Sequence, residues 1–465
     1  MSIGKINISE TIAKIEKRLQ QESGLSAEFK ELVELLLLVV KLLVKQKGLN
    51  SHNSSKPPSQ DPNRKRGSTR KGKGKKRNPG GQPGHEGSHL ELVKDPDVVE
   101  FITVDRESIP KGTYEHAGYE ARQVINVVVS REVTEYRAEI LQNAKGEQYV
   151  AEFPPGVTSP IQYGNGIKVQ STYMSQHQLV PLLRVKEHFR DQLEIELSKG
   201  SISNWNVELY EKLEPFETWA RGDLINSILN HGDETGINVN GKRLWLHSIS
   251  NEKTTLFHPD EKRGQQAMDR MGILPFFKGI LMHDHWKPYF RYECTHVLCN
   301  AHHLRELEAA VEFDNQKWAD KMQELLREMN AAVAKAGGSL TKRETNRFLK
   351  RYRRILRKAE KECPLNTKTR AQSKSRNLLA RLRDFEKETL RFLWDSDVPF
   401  TNNLGENDIR MTKVQQKISG CFRSMDGAKV FCRIRSYLNT CRKRGIGAGD
   451  ALKMAFNEKL PAFIT

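Results

Sequence analysis

The sequence predicts a multidomain α+β protein in which helical segments surround one mixed sheet domain. Apolar residues recur at helical spacing near the amino terminus, strand-like segments follow residue 228, and a long polar helical stretch begins near residue 305. A length of 465 residues allows roughly three domains of ~150 residues each. With 37% hydrophobic residues the chain can bury a core, which excludes wholesale disorder.

Basic charge is concentrated in three segments of the chain. The formal net charge is +18, from 76 Lys and Arg against 58 Asp and Glu. Residues 56–77 carry +9, residues 341–383 carry +13 and residues 410–444 carry +9, so the remainder carries −13. An acidic body with three basic surfaces predicts a polyanionic partner, and nucleic acid is the first candidate.

The pattern of apolar residues argues against a membrane partner. The longest apolar run, Leu32 to Val44, is 13 residues long and contains Glu34 and Lys41, whereas a spanning helix needs about 20 apolar residues. No export signal is recognisable at the amino terminus. Six cysteines in a chain of this length do not form a disulfide framework, so we expect reduced thiols in the cytoplasm.

Residues 1–48 predict a helical segment with a coiled-coil seam. Its apolar positions are spaced four and three residues apart, at Leu25, Phe29, Leu32, Leu36, Val39 and Leu43. The seam covers under three heptads, which fits a dimer zipper or a helix packed on its own domain. Residues 49–92 predict a disordered basic linker that binds DNA by releasing counterions. Its candidate DNA contacts are Arg64, Lys65, Arg66, Lys75 and Lys76.

Residues 93–160 predict a small β-rich module without cysteine, with strands over 98–104, 123–129, 132–141 and 147–153. Residues 161–220 then predict helices near 165–176 and 182–193, a turn at Gly200, and a third helix capped by Ser201. This order fits a helix-turn-helix that places Ser201 and Ser203 in a major groove. A helical hairpin with no role in DNA binding has the same pattern.

Residues 221–312 predict the first part of an RNase H-like α/β domain. Strands are expected over 228–233, 242–249, 254–258, 279–284 and 296–299, with a tight turn at Asn240-Gly241 and a helix near 264–271. Three successive strands followed by alternating helices and strands are typical of that fold. Residues 313–396 predict a helical insertion, and residues 397–465 the second part of the domain with a basic tail.

Asp233 and Asp284 each stand at the predicted carboxyl end of a strand. A carboxylate there lies outside the sheet edge, where a ligand can approach. Two such acids and a third on a later helix can hold two Mg²⁺ ions, which prefer oxygen ligands. Ions ~3.5–4 Å apart activate a water or a 3′-hydroxyl and stabilise the leaving oxygen of a phosphodiester. Each Asp alone also fits a turn or a helix cap.

Several motifs together carry a family resemblance that spans nearly the whole chain. They are NSSKPPSQD at 53–61, GGQPGHEG at 80–87, DETG at 233–236, WLHS at 245–248, GILMHDHW at 279–286, CNAHHLREL at 299–307, VPFTNNLGENDIR at 398–410 and KISGCFRSMDGA at 417–428. With them the sequence resembles the large transposase protein of the bacterial insertion sequence 66 family, a DDE transposase.

The resemblance implies that Asp233, Asp284 and Glu406 are the catalytic, metal-binding triad. It implies two Mg²⁺ ions, for which Mn²⁺ can substitute, and a cytoplasmic, nucleoid-associated protein. The implied partners are double-stranded DNA, as terminal inverted repeats and as target, and at least one further copy of the chain. A role for small accessory proteins of the same element stays open. The alternatives are a DNA-binding regulator or domesticated transposase that does not cut, and an RNase H-like nuclease without strand transfer.

The sequence departs from the family pattern at a few positions. The family commonly carries two Cys-x-x-Cys pairs in the β module, and their absence here argues against a zinc site in that module. His285 stands where Gly is usual, Thr401 where Asp is usual and Asn407 where Arg is usual. The last change would remove a DNA-backbone contact that the family pattern implies. None of these changes removes a carboxylate of the triad.

Cys299, His302 and Arg305 are expected to support the triad from nearby positions. Cys299 and His302 have the spacing of a zinc half-site, but zinc is not expected because no second pair of ligands is evident. His283 and His285 flank Asp284 as supporting or core residues, and a general-base role for either stays open.

The remaining candidates concern contacts with DNA. Arg410 lies one helical turn after Glu406, where it can contact phosphate or pair with that carboxylate. Trp286 fits stacking on a flipped base or a place in the core. The expected DNA contacts in the two downstream basic segments are Arg351, Arg354, Arg410, Lys417 and Arg423.

Overall fold

The computed structural model describes residues 2–3, 6–22, 24–50, 52–54, 90–367 and 372–464. The amino-terminal elements are strands β1 (Ser2–Ile3) and β2 (Ile6–Asn7) and helices α1 (Ile8–Gln21) and α2 (Ala27–Gly48). Ser26 caps α2, since its side chain accepts a hydrogen bond from the Phe29 amide. The predicted helical segment is therefore two helices.

The two amino-terminal helices pack against each other and leave the predicted seam open. Lys41 of α2 pairs with Glu16 of α1, and Leu37 of α2 and Ile12 of α1 are buried. The seam residues Phe29, Leu32, Leu36, Val39 and Leu43 are 45–64% exposed. No helix in the described residues is both long and apolar enough to cross a membrane.

Residues 90–164 form an extended, exposed stretch with little regular structure. Its only paired strands are β3 (Ile140–Gln142) and β4 (Gln148–Val150). Strands predicted over 98–104 and 123–129 are not formed, because no neighbouring strand supplies a ladder of hydrogen bonds there. Apolar residues at alternating positions, including Val98, Ile102 and Val128, consequently stay exposed. Alternation of apolar and polar residues alone does not form a sheet, because each strand also needs a partner strand.

The helices predicted after residue 164 are present, with a different start for the third. They are α3 (Asn165–Thr172), continued by a π-helical turn (Tyr173–His177), then α4 (Leu182–Leu193), α5 (Lys199–Lys212) and α6 (Glu214–Ile225). The cap of α5 is Ser198, whose hydroxyl accepts from the Ser201 amide at 2.9 Å. The assignment of Ser201 as cap was therefore wrong by three residues, and Gly200 lies inside the helix.

A five-stranded mixed sheet forms the centre of the molecule. Its strands are β5 (Leu229–Val239), β6 (Lys242–Ser250), β7 (Thr255–Asp260), β8 (Ile280–His283) and β9 (Thr295–Leu298), in the spatial order β7-β6-β5-β8-β9. The first three pair antiparallel, whereas β8 runs parallel to both β5 and β9. Asn240 and Gly241 both have positive φ at the β5–β6 turn, which confirms the predicted hairpin.

Helices cover both faces of the sheet. Leu281 packs in a core with α5, α6 and the helices at Met425–Lys443 and Ala448–Phe456. Its neighbours Ile280 and Met282 pack in a second core with helices that lie between residues 300 and 390. Side chains alternate between the faces of a strand, so β8 is buried on both. The helices are α7 (Gln265–Met271), α8 (Asn300–Asp314), α9 (Lys317–Lys335), α10 (Lys342–Glu362), α11 (Lys374–Asp384), α12 (Glu386–Leu390), α13 (Asn403–Ser419), α14 (Met425–Lys443) and α15 (Ala448–Phe456). Short 3₁₀ turns span Lys287–Arg291, Arg391–Leu393 and Ala462–Ile464.

Candidate active site

The parallel pairing of β5 and β8 ends two residues before Asp233 and Asp284. His231 of β5 is paired with Met282 of β8, so continuing the register by two residues sets Asp233 beside Asp284. Asp284 directly follows β8, as predicted. Asp233 does not end its strand, because β5 continues to Val239 and Asp233 is paired with Ser248 of β6. The predicted end of this strand was wrong, since the β5–β6 hairpin extends beyond the parallel pairing.

Glu406 lies in the first turn of α13, and Asn402 fixes that helix to the sheet. The Asn402 amide side chain bonds to His231 Nδ1 at 2.7 Å and donates to the carbonyl of Gly232 at 2.9 Å. Its backbone N–H also donates to Cys299 Sγ at 3.1 Å. This role of Asn402 was not predicted, although the Asn-Asn pair in the motif at 398–410 was a visible signal.

The electrostatics identify a concentration of negative charge at this edge. Burial raises the pKa of Asp233 well above its usual range, and the charges of Glu234, Glu406 and Asp284 raise it further. Burial and then the charge of Glu234 raise the pKa of Asp284 to about 6. Such repulsion is relieved by protonation or by a bound cation.

The carboxylate oxygens at this edge are of the chemical type that a hard cation binds. One oxygen of Asp233 accepts from the Glu234 amide and one of Asp284 accepts from the Trp286 amide, at 2.9 and 2.8 Å. Oε1 of Glu406 is buried and has no hydrogen-bond partner among the described residues. A buried acceptor without a donor is a reason to expect a ligand. Carboxylate oxygens are the donors that Mg²⁺ prefers.

Three residues predicted to support the triad lie beside Glu406. Its Oε1 is 3.8 Å from His302 Nδ1 and 3.7 Å from an Arg305 guanidinium nitrogen. The ligand atoms of Cys299, His302 and Glu406 lie within 4.8 Å of one another, a closeness that the three carboxylates do not reach. Arg410 is exposed, so Arg305 rather than Arg410 is the arginine that approaches Glu406.

A second set of residues, unforeseen from the sequence, supports the acidic edge. Glu234 accepts hydrogen bonds from the Tyr289 hydroxyl at 2.7 Å and from Arg263 at 2.7 and 3.2 Å. The Arg263 guanidinium lies between the rings of Trp245 and Trp286, 4.7 and 4.4 Å from their centroids. One face of Trp286 is therefore covered, which favours its packing role over stacking on a base.

The histidines that flank Asp284 are held by neighbouring rings. His283 is fully buried, and its Nε2 lies 3.0 Å from Nδ1 of His296. Burial lowers the pKa of His283 to about 3 and that of His285 to about 4. His285 packs edge-on against Phe385. Both imidazoles are neutral near pH 7 and serve in packing and hydrogen bonding.

A cavity of about 260 Å³ opens at this edge and reaches the helices after residue 314. It is lined by Asp284, His285, Trp286, Leu298, Cys299, His302, His303, Glu306 and Arg381. Arg381 comes from α11 and forms a two-pronged ion pair with Glu306 of α8, at 2.7 and 2.9 Å. Helix α11 therefore contributes a cation to the wall of the site.

The predicted DNA contacts differ in their accessibility. Ser203, Arg354, Arg410, Lys417 and Arg423 are exposed. Arg351 is instead held by Glu328 through two hydrogen bonds of 2.7 and 2.6 Å, and Ser201 Oγ lies 2.9 Å from Ser198 Oγ. The linker candidates Arg64, Lys65, Arg66, Lys75 and Lys76 lie outside the described residues.

Two segments of the chain match models of known protein families. Residues 5–91 match a family model described as a family of unknown function (DUF6444). An uncharacterized protein of Sinorhizobium fredii, y4jO, is 38% identical over 69 residues, which is 15% of this chain and 22% of that protein. The family model of the transposase IS66 family matches residues 160–430, more than half of the chain, including β5, β8 and α13. The chain therefore belongs to the transposase IS66 family.

Proposed function

We propose that this protein is a DDE transposase whose triad is Asp233, Asp284 and Glu406. The observation that carries the proposal is the parallel register of β5 and β8, whose continuation by two residues would bring Asp233 level with Asp284. The charges of Glu406 and Asp284 also raise the pKa of Asp233, which supports the grouping of the three carboxylates. The strand order, with the second strand antiparallel and the fourth and fifth parallel to the first, supports an RNase H-like domain.

Asp233, Asp284 and Glu406 would hold two Mg²⁺ ions. When bound, these ions would supply activation of a water or a 3′-hydroxyl and stabilisation of the leaving oxygen. Asn402 would keep Glu406 at the sheet edge through its hydrogen bonds to His231 and Gly232. Hydrolysis of one strand at each element end would expose a 3′-hydroxyl, which would attack a phosphodiester of target DNA without a covalent protein intermediate.

The other parts of the chain would bind and pair the DNA ends. Helices α3 to α5 would act as a helix-turn-helix on the terminal inverted repeats, with Ser203 exposed near the start of α5. Basic segments would contact the backbone, where counterion release favours binding. Two ends must be held together, so at least a dimer is expected, with the apolar face of α2 as its interface. The protein would act in the cytoplasm, in association with the nucleoid.

Cleavage of DNA that carries the ends of the element tests this proposal. Wild-type protein with Mg²⁺ is expected to nick each end and join the 3′-ends to a target plasmid. Asp233→Asn is expected to bind the same DNA without cutting it. Products unchanged by this substitution would refute the triad. Binding without cutting by wild type would support a regulator, and nicking without joined products a nuclease.

A further inference from the structure

We propose that Cys299, His302 and Glu406 form a second metal site, which shares Glu406 with the Mg²⁺ site and takes a thiophilic divalent ion such as Zn²⁺. An ion bound there would withdraw Glu406 from the Mg²⁺ site. The inhibitory part of this inference rests on the proposed function. The metal site itself rests on geometry alone, because the three ligand atoms lie within 4.8 Å of one another.

The separation of two of the three ligand atoms already suits zinc. Bonds of 2.0–2.3 Å in a tetrahedral site place ligand atoms ~3.3–3.8 Å apart. His302 Nδ1 and Glu406 Oε1 already lie 3.8 Å apart. Both atoms are buried and have no hydrogen-bond partner within the part of the chain that the structure describes. Small side-chain rotations would therefore complete the site without breaking a hydrogen bond of either atom.

Burial raises the pKa of the Cys299 thiol to about 11, so a metal ion would bind there by displacing the proton. Cys299 is the cap residue of α8, a helix of 15 residues, whose positive end would favour the resulting thiolate. The Asn402 amide donates to this sulfur at 3.1 Å, a contact typical of the outer shell of metal sites. One thiolate and one carboxylate would balance the charge of a divalent ion.

The chemistry of the ligands separates this site from the Mg²⁺ site. Sulfur and imidazole select zinc or cobalt, whereas Mg²⁺ takes oxygen ligands. Glu406 is common to both sets, so the two sites cannot be filled through the same carboxylate oxygens at once. Zinc would thus lower activity by competition for Glu406. The Arg305 guanidinium, 3.7 Å from Glu406, would weaken binding and keep the site reversible.

Titration of the full-length protein with Co²⁺ tests the site without any activity measurement. We expect one equivalent to produce a thiolate-to-cobalt charge-transfer band in the near ultraviolet. Cys299→Ser should abolish this band, and His302→Gln should weaken Co²⁺ binding ~10-fold or more. Cys421→Ser, in a half-buried cysteine outside the set, should retain the band. No band in wild type, or an unchanged band in Cys299→Ser with native circular dichroism, would overturn the site.

Zinc inhibition of end cleavage tests the consequence. Each variant is compared with its own rate without zinc, so an effect of the substitution on the basal rate does not interfere. The zinc concentration for half-inhibition should rise ~10-fold or more in Cys299→Ser and in His302→Gln. Equal inhibition of all variants would refute the competition. A cobalt band in a protein that cuts no DNA would instead leave the site standing and refute the proposed function.

Discussion

At the scale of single residues, the central feature is the mutual repulsion of the carboxylates at the sheet edge. The folded chain raises the pKa of Asp284 to about 6, from an ordinary value of 3.8. The folded state therefore holds this proton more tightly than the unfolded chain does. In the absence of metal, the raised pKa of Asp284 contributes stability to the folded state that is fully present below about pH 4. This contribution is lost as the pH rises through about 6.

Removal of the Asp284 charge should stabilise the metal-free protein. We expect Asp284→Asn to raise the free energy of unfolding at pH 8 in chelator by about 1–3 kcal/mol, since each pKa unit corresponds to about 1.4 kcal/mol. At pH 4 the two proteins should unfold alike. Urea titrations at both pH values provide the measurement. Asp97→Asn, at an exposed acid, is the matched control and should change neither value.

Mg²⁺ should reverse this effect in wild type. A cation that binds only the folded carboxylates raises the midpoint of thermal unfolding, and it does so more at pH 8 than at pH 5 because protons compete for the same oxygens. Asp284→Asn should show a smaller rise than wild type. An equal response of both proteins to Mg²⁺ would show that Asp284 does not bind the ion.

At the scale of elements, the position of α13 depends on Asn402. This residue joins the start of α13 to β5 and to Cys299 by three hydrogen bonds, and it is 2% exposed. The nearby Gly405 supports the same close approach, because a Cβ there would lie 3.2 Å from both Asn402 Oδ1 and His231 Cβ. The hydrogen bonds of Asn402 and the lack of a side chain at Gly405 thus hold the helix that carries Glu406 at the sheet.

Substitution of Asn402 should displace Glu406 as well as destabilise the fold. Loss of buried hydrogen bonds in Asn402→Ala should cost about 2–4 kcal/mol in urea unfolding. End cleavage should fall by about 10-fold or more under conditions where the variant is fully folded. Asn403→Ala alters an exposed neighbour in the same motif and should change neither quantity. A folded Asn402→Ala protein with wild-type cleavage would contradict the positioning role.

Helix α10 carries a continuous basic face. Arg343, Arg347, Lys350, Arg354, Arg357 and Lys361 follow one another at intervals of four and three residues, and all are exposed. Arg351 and Arg353 point elsewhere, since they pair with Glu328 and Glu386. At 1.5 Å per residue, the face is ~27 Å long, enough to follow a duplex backbone. Within the basic segment 341–383, we therefore expect DNA to contact this one face of α10.

Neutralisation of this face should weaken DNA binding in a salt-dependent manner. The change of Arg347, Arg354 and Lys361 to Gln should lower the slope of log affinity against log salt by about 2–3, from ~0.9 per phosphate contact. Arg351→Gln and Arg353→Gln change arginines that are already paired with Glu328 and Glu386, and should keep the wild-type slope. Fluorescence anisotropy of a labelled duplex from low to moderate salt gives the slopes. Equal slopes for all variants would place the DNA on another surface.

The sequence predicted the elements best where local signals agreed. Strand-like segments and the Asn-Gly turn predicted β5 to β7, and the structure forms the hairpin with positive φ at Asn240 and Gly241. The extent of β5 was not predictable, because it depends on pairing with β6 beyond Asp233. The Arg263 stack on Trp245 and Trp286 was not predictable either, since it joins residues distant in sequence. The strands expected over 98–104 and 123–129 are not formed, because no neighbouring strand pairs with them.

At the scale of the whole molecule, the apolar face of α2 predicts association of two chains. Its seam residues repeat at heptad spacing and are about half exposed, while the opposite side of the helix packs on α1. A second copy offers the same seam and buries both. A transposase must hold two DNA ends, so this interface would link assembly to activity.

Charges placed in the seam should separate the copies. We expect wild type to run as a dimer or larger species in light scattering after size exclusion, and the double variant Leu32→Lys, Leu36→Lys to run as a monomer. Glu31→Lys adds the same charge to an exposed polar position of α2 and should leave the assembly unchanged. A monomeric wild type would contradict the interface.

The central claim is that Asp233, Asp284 and Glu406 together bind the catalytic ions. Anomalous diffraction from crystals of the protein bound to end DNA and soaked in Mn²⁺ tests it most directly, because Mn²⁺ is seen independently of the protein atoms. We predict two anomalous peaks in contact with these three carboxylates, ~3.5–4 Å apart. Peaks that lie away from Asp233 and Asp284, or that leave Glu406 without a metal contact, would contradict the account.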